Sequence, residues 1–140
     1  MTKKYEIILK YIKDISVEIP SAEVFVFSRD HITKYSLGIN ISSKALKNEM
    51  IEVTTKLSYK DPSENKRKCY FEICYSNVVK FKDKSLDKKE LEKILLCDVQ
   101  NEIYPDLEKS LLDLLHNSGY PGVKFEKKVD FDVLYNQRIN

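Results

Sequence analysis

Apolar and polar side chains alternate along the first segment of the chain. From Tyr5 to Ile19 every odd position except Lys13 is apolar, and most even positions are polar or charged. Successive side chains of a β-strand point to opposite faces of a sheet, so this pattern predicts a strand with one apolar and one polar face. Pro20 ends that strand.

Three further segments repeat the alternation, with apolar positions running from Tyr35 to Ile41, from Ile51 to Tyr59 and from Cys69 to Tyr75. The polar run 61–65 predicts a hairpin turn between the last two. Alternation on one side only favours an antiparallel sheet that is covered on one face and in contact with water on the other.

The period changes in the second half of the chain. Ser85 is a candidate N-cap for a helix over 86–96. Apolar residues at three- and four-residue steps predict an amphipathic helix over 101–117. Pro105 must then lie in the first turn of that helix or produce a kink.

Two signals follow this second helix. Gly119 can adopt the left-handed conformation that ends a helix. A last helix over 130–138 would present Phe131, Leu134 and Tyr135 on one side.

Four strands followed by helices predict an α+β fold, a four-stranded antiparallel sheet with helices packed on one face, in a single domain of residues 1–140. A sheet in so small a chain has exposed edges, which proteins cap, charge or pair with another subunit. We therefore expect an oligomer.

The composition is typical of a globular protein, with 42% hydrophobic and 33% charged residues. The longest apolar runs fall far short of the roughly 20 residues that span a bilayer, so we expect no direct membrane insertion. Charged residues at Glu6, Lys10 and Lys13 break the apolar stretch that a signal peptide needs. These features predict a cytoplasmic protein.

The formal net charge of +2 does not require a nucleic-acid partner. A nucleic-acid-binding module would gather basic residues and stacking aromatic residues on one sheet face. The polar positions of the strands instead mix acids with lysines, as at Glu52 and Lys56. Binding to nucleic acid is therefore the least favoured hypothesis.

Residues typical of catalysis or metal binding lack the spacing that such sites need. Three glycines form no phosphate loop, the two histidines have no ligand partner at metal-site spacing, and the three cysteines match no metal motif. We predict free cysteines and neither a catalytic nor a metal site, and hence a protein that is not an enzyme.

Three motifs resemble the SecB family of bacterial protein-export chaperones. Residues 11–22, YIKDISVEIPSA, are similar to that family's opening pattern Y-x-K-D-x-S-F-E-x-P-x-A. NEIYP at 101–105 resembles its N-x-x-F-P, and GYP at 119–121 with VDFDVLY at 129–135 resembles its ending. The matched segments lie in the family's order and span nearly the whole chain.

The resemblance implies a tetramer made of two dimers that uses no cofactor. It implies binding of unfolded precursor proteins in apolar surface grooves and delivery to the ATPase SecA, which docks on the polar face of the sheet. The acidic positions that match here are Asp14, Glu18 and Glu72.

The resemblance implies a client groove lined by a crossover loop, parts of the sheet and the last helix, and the apolar run after Pro20 is interpreted here as that loop. Four consecutive apolar residues in a loop either plug the core or line an exposed apolar site. The residues assigned to the groove are Val24, Phe25, Phe27, Leu134 and Tyr135.

Two departures from the family weaken the expected SecA contact. Typical members are strongly acidic whereas this chain is slightly basic, and the family's C-terminal tail, a second SecA contact, is not matched. Two chaperone hypotheses remain open, a general export chaperone and a SecB-like chaperone dedicated to one client such as an antitoxin.

Overall fold

The computed structural model describes residues 4–63, 68–83 and 85–139. Four strands and four α-helices follow one another in the order β1 (Tyr5–Glu18), α1 (Ala22–Arg29), β2 (Ser36–Ala45), β3 (Met50–Lys60), β4 (Tyr70–Phe81), α2 (Lys88–Lys93), α3 (Val99–Asn117) and α4 (Phe131–Ile139). A short 3-10 helix (Ile32–Lys34) precedes β2, and a π-helical turn (Ile94–Asp98) joins α2 to α3.

The strands form one antiparallel sheet in the order β1-β4-β3-β2, so β1 and β2 are its two edges. The long helix α3 covers one side of the sheet, here called the inner face, whereas none of the described helices packs on the opposite, outer face. Leu107 and Leu111 of α3 pack with Leu57 of β3 and Ile73 of β4, all fully buried. The predicted α+β arrangement is confirmed.

The apolar run after Pro20 is a helix, and the predicted crossover loop is wrong. Ser21 caps α1, because its Oγ accepts a hydrogen bond of 3.1 Å from the backbone N–H of Val24. Ala22 and Glu23 follow, and an acidic residue in the first turn suits the positive end of a helix.

The two predicted helices of the second half form one continuous helical segment. Asp87, not Ser85, is the first N-cap, and its Oδ1 accepts a 2.8 Å hydrogen bond from the N–H of Glu90. Ser85 instead donates its own N–H to Asp83. Pro105 lies inside α3 rather than in its first turn.

Two irregularities interrupt the alternation predicted for β1. The pairing with β4 shifts between Ile7 and Leu9 and again between Ile12 and Asp14. An extra residue moves the side chains that follow it to the opposite face. Leu9 therefore lies on the outer face and Ile12 on the inner face, so the single apolar face predicted for the whole strand is wrong.

Gly119 ends α3 as predicted, with φ of 108°. The N–H of Gly119 bonds to the carbonyl of His116, and that of Tyr120 bonds to the carbonyl of Leu115 at 3.0 Å. This is the Schellman pattern, which requires a residue with positive φ. A Cβ at Gly119 would lie 2.7 Å from the ring of Phe25, so space as well as backbone conformation favours glycine there.

Gly119→Ala is therefore expected to lower the free energy of unfolding by about 2 kcal/mol, through backbone strain and the clash with Phe25. Gly122→Ala is the matched control, since a Cβ there meets nothing within 4 Å. Urea denaturation of both variants measures the difference. Equal stability of the two would show that neither strain nor clash operates at Gly119.

The last predicted helix is also confirmed. Asp130 caps α4 by accepting the N–H of Val133 at 3.1 Å. In the β3–β4 connection Ser63 donates its N–H to Asp61 in a turn, while residues 64 and 65 of the predicted hairpin turn lie outside the described residues. Among the described helices none has the length and hydropathy needed to cross a membrane.

Candidate functional site

An apolar groove follows the inner side of the edge strand β2. Leu37, Ile39 and Ile41 alternate along this strand, point to the inner face and are half-buried. Ile39 and Ile41 line a cavity of about 180 Å³, and Leu37 lines a neighbouring cavity of about 520 Å³. We call these two cavities the β2 groove.

The helical layer forms the other wall of the β2 groove. Leu134 and Tyr135 of α4 line the smaller cavity together with Leu96 of the π turn. In the larger cavity Phe125 packs on Tyr59, with ring centroids 5.4 Å apart. The sequence therefore placed Leu134 and Tyr135 at an apolar cavity, but it missed the β2 residues that face them.

Helix α4 is anchored mainly at its first residue. Phe131 is buried, and its ring meets Tyr104 at a centroid distance of 5.1 Å. The carbonyl of Phe131 accepts a weak hydrogen bond of 3.6 Å from the buried Cys97 thiol. From Asp132 to Gln137 the helix is largely exposed, and Leu134 is 43% accessible to solvent.

The three apolar residues assigned to the groove from α1 lie elsewhere. Val24 and Phe25 are half-buried against the core, and the Phe25 ring lies 5.1 Å from that of Tyr120. Phe27 stacks on His31 at 4.2 Å. None of them lines the cavities that contain Leu134 and Tyr135, so the structure divides the predicted site into two places.

The outer face carries the acidic residues assigned to SecA docking. Asp14 pairs with Cys74 across β1 and β4, and Glu18 pairs with Tyr70 four residues further along β1. These pairings place Asp14, Glu18 and Glu72 on the same side of the sheet. Asp14 and Glu18 are exposed, whereas Glu72 is half-buried.

Glu72 is already engaged within the chain. It accepts a 2.6 Å hydrogen bond from the Tyr70 hydroxyl and lies 3.9 Å from the Lys56 ammonium. This hydrogen bond, followed by burial, raises the pKa of Tyr70 to about 12. Of the three acids, Asp14 and Glu18 therefore offer the more accessible charge.

Glu52 organises the centre of the outer face, which the sequence did not reveal. Its carboxylate accepts hydrogen bonds from the hydroxyls of Tyr11 and Ser76, and the Lys13 ammonium lies 3.6 Å away. The bond from Tyr11, then that from Ser76, lowers the pKa of the Glu52 carboxyl. The first bulge of β1 brings Tyr11 to this face, so strict alternation could not have predicted the contact.

The cysteines are free, as predicted, and two of the three are buried. Burial, followed by the nearby Asp132, raises the pKa of the Cys97 thiol to about 11. A nucleophilic cysteine requires the opposite shift. Across the described ranges no group of three or more His, Cys, Asp or Glu side chains is arranged to hold a metal ion.

The chain is similar to known proteins over its whole length. The family model for the preprotein translocase subunit SecB matches residues 1–140. A putative protein-export protein SecB of Pelagibacter ubique is 56% identical over 140 residues, which is all of both chains. The protein-export protein SecB of Bartonella quintana is 22% identical over 96% of this chain and 84% of its own length.

A solved structure shares the fold. The SecB-like chaperone of Mycobacterium tuberculosis, in complex with a peptide from an antitoxin, matches with a TM-score of 0.67 and 10% identity over 90% of this chain and 91% of that one. At such low identity this likeness concerns the fold alone. The family match and the close relative establish that this chain belongs to the SecB family of chaperones.

Proposed function

We propose that this chain binds unfolded precursor proteins in the β2 groove, keeps them competent for export and delivers them to SecA, acting as a homotetramer made of two dimers. The observation that carries the proposal is an apolar groove beside the free edge of β2. Half-buried apolar side chains and an unpaired strand edge are the two features that an extended apolar polypeptide can use.

The energetics of such a groove suit a chaperone. Apolar contact stabilises a complex by about 25 cal/mol per Å² of buried surface and demands little specificity. Main-chain groups along an edge strand bind any polypeptide backbone in the same way. The combination favours many clients of different sequence over one folded ligand.

Delivery to SecA would use the outer face. Asp14 and Glu18 are exposed there and lie on one edge strand, where a basic docking surface could reach both. Glu72 completes the acidic group predicted from the sequence, but its carboxylate already accepts a hydrogen bond from Tyr70 and forms an ion pair with Lys56. We expect its contribution to docking to be smaller.

A dedicated client is the second candidate function. The M. tuberculosis chaperone that shares the fold was solved with a peptide from an antitoxin. The β2 groove would accept an extended peptide of that kind as readily as a precursor protein. Copurification distinguishes the two, because a general chaperone carries mixed clients and SecA, whereas a dedicated one carries a single small partner.

Leu134→Gln is expected to weaken the suppression of aggregation of an unfolded test protein about tenfold, because it replaces an apolar wall of the groove by an amide. Val133→Gln is the matched control, since Val133 is 48% exposed on the same helix and does not line the cavity. Light scattering during dilution of the test protein from denaturant measures both. A chain that leaves aggregation unchanged would refute the proposed function.

A further inference from the structure

A cavity separate from the β2 groove lies between the start of β1 and the helical segment that contains α2 and the π turn. Its volume is about 560 Å³, within the range of roughly 300–1,000 Å³ that is usual for small-molecule sites. It shares no lining residue with the two cavities of the β2 groove. We call it the β1 cavity, and the residues that line it are Lys4, Tyr5, Glu90, Lys93, Ile94 and Asp98.

The two uncharged residues of the β1 cavity form a largely apolar wall. Tyr5 and Ile94 are buried and belong to the same apolar cluster. The Tyr5 hydroxyl donates a hydrogen bond of 2.8 Å to Oε1 of Glu102. Burial, followed by this hydrogen bond, raises the pKa of Tyr5, so the hydroxyl stays protonated and keeps its bond at physiological pH. The ring is therefore held in place as a surface against which an apolar group can pack.

The π turn brings two charged side chains of the helical segment to the β1 cavity. Lys93 and Asp98 are five positions apart, and in an α-helix of about 3.6 residues per turn such side chains point about 140° away from each other. The N–H of Val99 bonds to the carbonyl of Ile94 instead, five residues back. This wider turn brings Asp98 back towards the side of Lys93, and both line the cavity. Turns of this kind are rare and are frequent at functional sites.

The β1 cavity has two charges of each sign. Lys4 and Glu90 form an ion pair with 3.8 Å between the ammonium and the carboxylate. Lys93 and Asp98 are exposed, and within the described part of the chain neither forms an ion pair. One ammonium and one carboxylate therefore stand available beside an apolar wall. A ligand that complements all three features carries a carboxylate, an ammonium and an apolar body.

We infer that the β1 cavity binds a free α-amino acid with an apolar side chain, its carboxylate at Lys93, its ammonium at Asp98 and its side chain against Tyr5. A cavity of about 150 Å³ is enough to hold a benzene ring, so an aromatic amino acid fits within the available volume. Ion pairs with exposed side chains are individually weak, so we expect a dissociation constant in the millimolar range. The inference goes beyond client binding, since no residue of the β2 groove takes part.

The test uses the full chain and four probes that separate the three features. L-phenylalanine carries all of them, 3-phenylpropionate lacks the ammonium, phenethylamine lacks the carboxylate and L-alanine lacks the ring. Saturation-transfer difference NMR during a titration measures each affinity. L-phenylalanine is expected to bind about fivefold more tightly than each of the other three probes.

Two variants assign the charged contacts. Asp98→Asn is expected to weaken binding of L-phenylalanine about fivefold and to leave that of 3-phenylpropionate unchanged, whereas Lys93→Gln should weaken both. Both residues are exposed, so folding is little affected. Lys89→Gln is the matched control, because Lys89 is exposed one turn before Lys93 and lies outside the cavity lining. It should leave both affinities unchanged.

Equal affinity for L-phenylalanine and 3-phenylpropionate would overturn the site, as would the absence of binding by any probe. Equal losses with Lys89→Gln and Lys93→Gln would also overturn it, because the probes would then respond only to the positive charge of α2. The aggregation assay separates this inference from the proposed function. A chain that binds L-phenylalanine as expected but leaves aggregation unchanged would refute the proposed function alone.

Discussion

Ile15→Lys is expected to separate the proposed assembly into single chains. Ile15 is 48% exposed although it lies on the inner face of β1. It belongs to a set of large exposed apolar side chains on this one strand: Ile8, Leu9, Tyr11, Ile12, Ile15 and Val17. An edge strand with apolar side chains on both faces is suited to pairing with a second copy of itself.

The size of the effect follows from symmetry. In a two-fold interface each substitution occurs on both sides, so the loss of apolar burial counts twice. At about 2 kcal/mol for each isoleucine, the total is about 4 kcal/mol, or a thousandfold in the dissociation constant of the dimer. Burying the lysine charge would add to this.

Ser16→Lys is the matched control, because it places the same charge on the neighbouring residue of the same strand, across from Glu72 on the outer face. We expect it to leave assembly nearly unchanged. Sedimentation velocity over a range of concentrations measures the mass of each variant. A monomeric unchanged chain, or identical assembly of the two variants, would contradict self-pairing through β1.

The sequence predicted β2, β3 and β4 because these strands alternate without interruption. It could not predict the faces of β1, since a bulge adds a residue without a distinctive residue type. Lys13, the one charged residue at an odd position, lies where the pairing shifts between Ile12 and Asp14. Together with the apolar residues Ile8 and Ile12 at even positions, it was the sign of irregularity in the sequence.

Helix α1 was missed for a different reason. The run Val24-Phe25-Val26-Phe27 has no helical period of its own, so apolar content outweighed the weaker signals of the Ser21 cap and of Glu23 in the first turn.

The residues that form the walls of the β2 groove depend on the order of the strands in the sheet. Leu134 belongs to a recognisable helix, whereas Ile39 becomes a wall only because β2 is an edge strand, and strand order is not readable from alternation.

The packing of Phe25 against the core leads to the second large effect. Phe25→Asp is expected to lower the free energy of unfolding by about 3 kcal/mol, because the ring that packs on Tyr120 is lost and a carboxylate is half-buried in its place. Val26→Asp is the control, since Val26 is 54% exposed on the same helix, and it should change stability by less than about 0.5 kcal/mol. Denaturant titration measures both.

The same variant tests whether Phe25 also contacts clients. Because Phe25 lies outside the β2 groove, folded Phe25→Asp should bind an unfolded client with unchanged affinity. Weaker binding at unchanged stability would show that Phe25 contacts the client.

Gly119 provides an internal check of the contact with Phe25. Since the Phe25 ring causes the clash at Gly119, Gly119→Ala should cost less when Phe25 is replaced, leaving only the strain of the positive φ. Fully additive losses would mean that the two residues do not meet, and that α1 is held against the end of α3 by other contacts.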